Sequence, residues 1–278
     1  MKMIMGQASL RQLDLHYDND ISPNLVKLPF TTYAGASDCL RNLSELSCRS
    51  DFRSLTLHRL SQLCRNIQSL SVTLGGTVSD GLLELISVQE RMKHLKISYH
   101  KCSKYNFFTP EALMKILPSL TKMSNCIIEF DINLPFLCNG DIEILLDITF
   151  PKLQVLTFKC ICFYHRHLSQ LLKKNGESPK QVNLLDSNDL SNLSITEFCP
   201  NLKFLSIAFK VYEIKKLKVV LDCCKRLEIL KLRCGEIYLH QLDILRAIAP
   251  EKFHELRLDF GRLHPRDLES ALGMITAQ

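Results

Sequence analysis

The amino-acid sequence predicts an α/β solenoid in which about ten short parallel strands lie on the inside and helices lie outside. Three observations predict this fold class. A short apolar motif, with apolar residues at its positions 1, 4 and 6, recurs ten times along the 278 residues. Between successive motifs the apolar period lengthens from two residues to about 3.6, which marks the change from a strand to an amphipathic helix. Several of the predicted helices end at a corner that contains proline.

The spacing of the motif is nearly constant along the chain. Its copies start at residues 10, 43, 67, 92, 127, 153, 179, 202, 227 and 253, so seven of the nine intervals lie between 23 and 26 residues. A regular copy is Leu202-Leu205-Ile207, whereas the copy that starts at Pro179 has proline where leucine is expected. A spacing this regular indicates one structural unit repeated many times.

Two intervals are longer and predict insertions near residues 19–35 and 100–108, where polar and turn-forming residues are frequent. One strand-helix unit cannot cover its own leucines, so neighbouring units must stack and share a continuous core. Helices are bulkier than strands, and the stack therefore curves with the strands on its concave side. We expect a single domain over residues 1–278.

The predicted helices show an apolar face and a defined end. Residues three and four apart lie on one side of a helix, and two such faces are Leu82-Leu83-Ile86 and Leu217-Val220-Leu221-Cys224. Proline cannot continue a helix, so the chain is expected to turn back into the sheet at such corners. The corners include Leu117-Pro118-Ser119-Leu120 and Phe198-Cys199-Pro200-Asn201-Leu202.

The segment from Cys199 to Ile207, which reads C-P-N-L-K-F-L-S-I, resembles the cysteine-containing leucine-rich repeat with its C-P-x-L-x-x-L-x-L consensus. Segments 224–232 and 64–72 look like further copies, the first with lysine in place of proline. The resemblance covers roughly residues 9–275 and implies a ribonuclease-inhibitor-like horseshoe. This repeat subtype is typical of F-box/leucine-rich-repeat proteins, including the fungal F-box-like families. It implies a non-catalytic module that recognises substrates for a cullin-type ubiquitin ligase.

The F-box of that family is a helical module that precedes the first repeat. This chain begins almost inside a repeat strand, at Leu10, which leaves no room for an F-box. We therefore expect either a truncated chain or a relative that has lost the adaptor-binding module. An adaptor of the ubiquitin ligase is expected as a partner only if an F-box lies upstream in the parent gene product.

Composition and charge restrict the other classes of function. No run approaches the roughly 18 apolar residues of a membrane span, and the N-terminus does not read as a secretory signal. Most of the twelve cysteines fall at strand or helix ends, where cysteine behaves as a small buried hydrophobe, so we expect free thiols and a cytoplasmic or nuclear protein. The basic segment 210–233 fits either a solvated helix face or a surface for an acidic partner.

The densest reactive cluster, 160–167, contains Cys-x-Cys and His-x-His. These spacings differ from those of structural zinc sites. Leu156, Phe158 and Cys160 alternate along one strand, so we expect Cys160 to continue its buried face and the histidines to open the next helix. The chain contains no phosphate-binding, nucleophile-elbow or H-E-x-x-H motif. We expect no enzyme activity, no metal and no cofactor.

Function is therefore expected on the concave face, where motif positions 3, 5 and 7 point outward between the buried residues. Most of these positions are polar. The exception is an apolar cluster with a basic rim, made of Leu185, Phe204, Ala208, Ile229, Lys231 and Arg233. Such a cluster is typical of a protein-docking hot spot, and its rim suits an acidic or phosphorylated segment. Incidental apolar residues, or contacts with a terminal segment, stay open as the alternative.

Two other classes of protein also stay open. A leucine-rich-repeat scaffold or inhibitor-like binder would have no link to ubiquitin. A Ran-type GTPase activator fits less well, because its repeats are longer and carry a strong asparagine position, and an acidic tail usually follows them. In each case we expect a protein partner, with no membrane and no nucleic acid.

Overall fold

The computed structural model describes residues 9–16, 29–32, 34–99, 110–134, 143–160, 165–184, 189–209, 214–234 and 254–260. Within these residues there are ten strands: β1 Gln12–Leu15, β2 Glu45–Arg49, β3 Ser69–Leu74, β4 His94–Tyr99, β5 Glu129–Leu134, β6 Val155–Cys160, β7 Gln181–Leu184, β8 Phe204–Phe209, β9 Ile229–Cys234 and β10 Glu255–Phe260. The described helices are α1 Ala36–Leu40, α2 Ser54–Leu63, α3 Asp80–Ser87, α4 Pro110–Met123, α5 Glu143–Asp147, α6 His165–Asn175, α7 Asp189–Phe198 and α8 Ile214–Cys223, with a 3-10 helix at Pro29–Thr32.

The chain divides into two compact units, Met1–Phe163 and Tyr164–Gln278. In the first unit, strands β1 to β6 pair in chain order, and each is parallel to the next. In the second unit, β7 to β10 pair in the same way. A parallel pair needs a crossover between its strands, and most crossovers here contain a helix.

The register of the strands aligns equivalent motif positions. Leu46 of β2 pairs with Leu70 of β3, which pairs with Leu95 of β4. Each of these leucines is at most 2% exposed. Because the same position is buried from β1 to β9, these apolar residues form rows that hold neighbouring repeats together. At positions 4 and 6 the predicted burial is confirmed from β1 to β9, whereas Leu10, at position 1 of the first copy, and Leu256 and Leu258 of β10 are only partly buried.

The helices bury the faces that their spacing predicts, with one exception. In α8, the predicted face of Leu217, Val220 and Leu221 is buried, as is Cys224 directly after the helix. In α3 the buried residues include Leu82, Leu85 and Ile86, whereas Leu83 is only partly buried. Spacings of three and four from Leu82 reach Leu85 and Ile86, and an adjacent residue lies about 100° away around the helix. The prediction for Leu83 was wrong.

The corner predicted at Pro118 does not form. Helix α4 continues through Pro118 to Met123. Leu120 is fully buried and Met123 is 4% exposed. A helix that ended at the proline would draw both side chains away from the core, at about 1.5–3 kcal/mol each, which offsets the roughly 3 kcal/mol cost of an internal proline. By contrast, α7 ends at Phe198, as the corner before Pro200 predicts.

Successive helices approach closely at Gly81 in α3. A Cβ atom on Gly81 would lie 2.1 Å from the backbone oxygen of Ser54 in α2. The amide of Gly81 donates a hydrogen bond to the Ser54 hydroxyl at 2.9 Å. The missing side chain therefore lets two repeats pack at this point.

The predicted insertion at residues 100–108 lies outside the described residues. Of the other insertion, 19–35, the structure describes the 3-10 helix Pro29–Thr32 and the residues that lead into α1. In the parts of the chain that are described, none of the helices is long and apolar enough to cross a membrane.

Candidate partner-binding face

The inner strand face consists of the side chains at motif positions 3, 5 and 7 of each strand. These residues alternate with the buried ones, as Glu45 and Lys96 illustrate: both are exposed, next to buried Leu46 and Leu95. Alternation follows from the pleat of a strand. The inner strand face is thus available to a partner in each of the two units.

Three residues predicted to face outward are in fact buried: Arg49, Thr73 and Ser206 are at most 7% exposed. Arg49 is held by the carboxylate of Asp51, with Nε–Oδ1 at 3.0 Å and Nη2–Oδ2 at 2.9 Å. The hydroxyl of Ser206 accepts a hydrogen bond from Arg233 at 3.2 Å. The expectation that every such position is open to a partner was wrong, because each of these three side chains is hydrogen-bonded to another side chain of the fold, Thr73 to His16.

The second unit brings together most of the predicted apolar cluster. Phe204 of β8 pairs directly with Ile229 of β9, and Ala208 pairs with Arg233. Phe204, Ala208 and Ile229 are partly exposed, and the intervening Leu205 is fully buried. Paired residues of adjacent strands lie about 5 Å apart, so the phenylalanine and isoleucine form one surface. Leu185 lies outside the described residues.

The basic rim of this cluster is engaged within the fold. Lys231 Nζ lies 3.1 Å from Asp259 Oδ2 in the next strand. Arg233 donates to the backbone oxygen of Leu184 as well as to Ser206. Sequence reasoning found the two basic residues but missed these partners, which come from other repeats and are separated from them by 27, 28 and 49 residues.

The inner strand face of the first unit carries a polar chain that sequence reasoning missed. His16 Nδ1 lies 2.5 Å from Asp14 Oδ1, and its Nε2 lies 2.9 Å from the Thr73 hydroxyl. That hydroxyl lies 3.3 Å from the hydroxyl of Ser98. Burial raises the pKa of Asp14, but hydrogen bonds from His16 outweigh it and leave that pKa below its usual value.

An Asp-His-hydroxyl order matches the geometry of a nucleophilic triad. Acyl transfer also needs free N–H donors where the oxyanion develops. Thr73 lies within β3, paired with Arg49 on one side and Ser98 on the other, so the backbone N–H groups beside it belong to the sheet. The hydrogen-bonded hydroxyls and histidine therefore link His16, which follows β1, to strands β3 and β4.

A second feature of the first unit is a cavity of about 240 Å³ over strands β3 to β6. Its lining residues are Ser69, His94, Leu95, Lys96, Glu129, Phe130, Asp131, Val155 and Thr157. Each polar member occupies an outward position that the repeat frame predicts. The cavity itself follows from four strands side by side, which no local pattern in the sequence reveals.

No group of three metal-ligating side chains occurs among the residues that the structure describes. Helix α6 begins at His165, so the two histidines of the reactive cluster do open a helix, as predicted. His167 is 6% exposed. Cys160 ends β6, and its side chain lies outside the description.

The described cysteines are free and differ in exposure. Burial raises the pKa of Cys48, Cys64 and Cys199 to about 12, and that of Cys224 to about 11. Cys223, at the end of α8, is exposed.

Iodoacetamide at pH 8 is therefore expected to modify Cys223 well before Cys199. The thiolate is the reactive form, and a pKa raised from 9.0 to about 12 lowers its fraction roughly a thousandfold. Peptide mass spectrometry over a time course measures both rates in the folded protein. Equal rates for Cys223 and Cys199 would contradict the burial of Cys199, and urea-unfolded protein supplies the control for equal intrinsic reactivity.

Parallel strands joined through helices, with rows of buried motif leucines, define a leucine-rich-repeat solenoid. The chain is similar in structure to the leucine-rich repeat-containing protein LegL7 from Legionella pneumophila, with a TM-score of 0.56. The two chains are 13% identical, and the match covers 96% of this chain and 89% of LegL7. No protein-family model and no curated protein sequence matches this chain. At this identity the likeness establishes the fold class.

Proposed function

We propose that this chain is a non-catalytic protein-binding module whose partner lies across the inner strand face. The observation that supports the proposal best is the direct pairing of Phe204 with Ile229, both partly exposed, on a face where most outward positions are polar. An aromatic residue beside an aliphatic one, with polar residues around them, is the composition of a hot spot.

The charges around this cluster specify the partner less than its apolar centre does. Two of the basic side chains already face a carboxylate, since Lys231 Nζ lies 3.1 Å from Asp259 Oδ2 and Arg257 Nε lies 2.7 Å from Glu255 Oε1. An acidic or phosphorylated segment would have to displace Asp259 from Lys231. We therefore propose that apolar contact with Phe204 and Ile229 contributes most of the binding free energy, and that anionic groups of the partner add to it.

We further propose that the module recognises substrates for an F-box-type, cullin-based ubiquitin ligase in the cytoplasm or nucleus. The support is the resemblance of segments 64–72, 199–207 and 224–232 to the cysteine-containing repeat. A leucine-rich-repeat scaffold or inhibitor-like binder, with no link to ubiquitin, is the alternative. The two differ in what happens to the partner, since a ligase substrate is degraded and a scaffolded protein is not.

Site-specific photo-crosslinking tests the binding face. A benzoylphenylalanine placed at Phe204 is expected to crosslink one defined partner in cells, because the ring lies within the proposed contact. The matched control is the same residue at Val219, which is 42% exposed on helix α8. Equal crosslinking from both positions, or none from Phe204, would refute the inner strand face of the second unit as the binding site.

The abundance of the crosslinked partner then separates the two finer proposals. If the module serves a ubiquitin ligase, deleting the gene is expected to lengthen the half-life of the partner, and the cullin adaptor is expected to co-purify with the parent gene product. An unchanged half-life, with crosslinking retained, would favour the scaffold.

A further inference from the structure

The cavity over β3 to β6 is built around strand β5. Glu129 and Asp131 both lie on the outward side of β5, two residues apart and therefore about 7 Å apart along the strand. Buried Leu95 and Phe130 form the floor. Its volume, about 240 Å³, lies below the roughly 300–1,000 Å³ of pockets for drug-sized molecules, and it suits one long side chain.

The two carboxylates are not equally satisfied. Glu129 Oε2 lies 2.9 Å from His94 Nδ1 on β4, its direct partner in the register. Asp131 Oδ1 is shielded from solvent and has no hydrogen-bond partner among the described residues. Burial raises the pKa of Asp131, although Lys159 and Lys96 act against this effect. Hydrogen-bond donors from a ligand would therefore stabilise the ionised form of this half-buried carboxyl group.

The charges on the two sides of β5 differ. On the β4 side, cationic or titratable groups stand opposite both carboxylates, because Glu129 pairs with His94 and Asp131 with Lys96. On the β6 side the direct partners are neutral, since Glu129 pairs with Val155 and Asp131 with Thr157. Lys159 lies one outward position further along β6. Between β5 and β6, an added cation would therefore meet two carboxylates beside neutral direct partners, with Lys159 as the nearby cation on β6.

We propose that this cavity is a socket for an arginine or lysine side chain of a protein partner. This inference rests on one part of the proposed function, namely that the chain binds a protein partner. The stem of the side chain would pack on Val155, as long basic side chains do on apolar surfaces. Its head group would supply N–H donors to Asp131 and Glu129, and the planar guanidinium of arginine offers several donors at once. An anionic group would bring no donors and would face two carboxylates.

The first test titrates the intact chain with N-acetyl-arginine methylamide and follows the methyl resonances of Val155 and Thr157. We expect saturable binding in the millimolar range and none with the capped, uncharged analogue citrulline. Asp131→Asn is expected to weaken binding about tenfold or more, because a charge-assisted bond is lost. The matched control, Glu45→Gln, removes an exposed carboxylate from β2 outside the cavity and should change nothing.

A second measurement keeps the proposal testable if Asp131→Asn unfolds. In the unchanged chain, the carboxyl carbon resonance of Asp131 is expected to titrate at lower pH when the arginine compound is bound. Arginine affinity should correspondingly increase as Asp131 ionises. Glu129, His94, Lys96 and Lys159 face the same space, so each is followed in the same spectra. An arginine affinity independent of Asp131 ionisation would overturn the socket.

Other outcomes also decide the matter. If inorganic phosphate or capped glutamate shifts Val155 and Thr157 while the arginine compound does not, the cavity binds anions through Lys96 and Lys159, and the proposal is wrong. Phe204→Ala lies in the other unit and should leave arginine binding unchanged. If the arginine compound does not bind but position 204 still crosslinks a partner, the socket alone is refuted. If the arginine compound binds but position 204 crosslinks nothing, the Phe204 site alone is refuted.

Discussion

Leu205→Ala is expected to lower the free energy of unfolding by about 2–5 kcal/mol, because it leaves a cavity in a packed row. Leu205 is fully buried, and it pairs with Val182 of β7 and Leu230 of β9. The loss therefore reaches three consecutive repeats. Urea unfolding, together with hydrogen exchange of the amides in β7 to β9, measures both the size and the place of the effect.

Phe204→Ala, one residue away, is the matched control for this prediction. Phe204 lies on the opposite side of the strand and is partly exposed, so the substitution should cost much less stability. It is expected instead to cost about 1–3 kcal/mol of partner binding. If Phe204→Ala unfolds the protein and Leu205→Ala has no effect, the two strand faces are assigned backwards.

The alternation that distinguishes these two residues could be predicted from the sequence alone. A strand places successive side chains on opposite sides, and a repeat of 23 to 26 residues fixes where each strand starts. Once Leu202 is placed in the motif, Leu205 and Ile207 must be buried with it. The pairing of Phe204 with Ile229 follows from the same frame, because equivalent positions of adjacent repeats meet.

The depth at which an outward residue lies could not be predicted in this way. The periodicity of the sequence indicates on which side of a strand a residue lies. How deeply that residue is buried depends on side chains from other repeats, about 25 or more residues away in sequence. Thr73 is covered in this manner, since His16 of the first repeat reaches its hydroxyl across 57 residues of sequence. The cavity around Asp131 likewise requires four strands in register.

Helix ends show the same division between local and distant causes. Proline near Phe198 ends a helix as its chemistry predicts, but Pro118 does not, because Leu120 and Met123 beyond it are buried. An internal proline costs a helix about 3 kcal/mol, and the helix continues where burial of the apolar side chains beyond the proline contributes at least as much stability. The identity of the partner cannot be predicted from the fold, because the solenoid provides a surface and only a few of its residues select what binds.

Asp51→Ala is expected to lower the free energy of unfolding by about 3–5 kcal/mol, since it removes the carboxylate that makes two hydrogen bonds to the buried guanidinium of Arg49. The side chains of Arg49 and Asp51 are only 7% and 18% exposed, and two hydrogen bonds join them. Gly75 closes over the pair: a Cβ atom there would lie 2.7 Å from Asp51 Oδ2. Thermal and urea unfolding monitored by circular dichroism provide the measurement.

The control for this prediction is Asp38→Ala, which removes the carboxylate of an exposed pair. Arg41 and Asp38 lie 2.9 Å apart, but their side chains are 70% and 77% exposed, so the loss should be below about 1 kcal/mol. The double variant Arg49→Met with Asp51→Ala should recover much of the stability lost in Asp51→Ala, because no buried charge is left without its partner. Equal losses from Asp51→Ala and Asp38→Ala would mean that Arg49 reaches solvent, and that it belongs to the inner strand face after all.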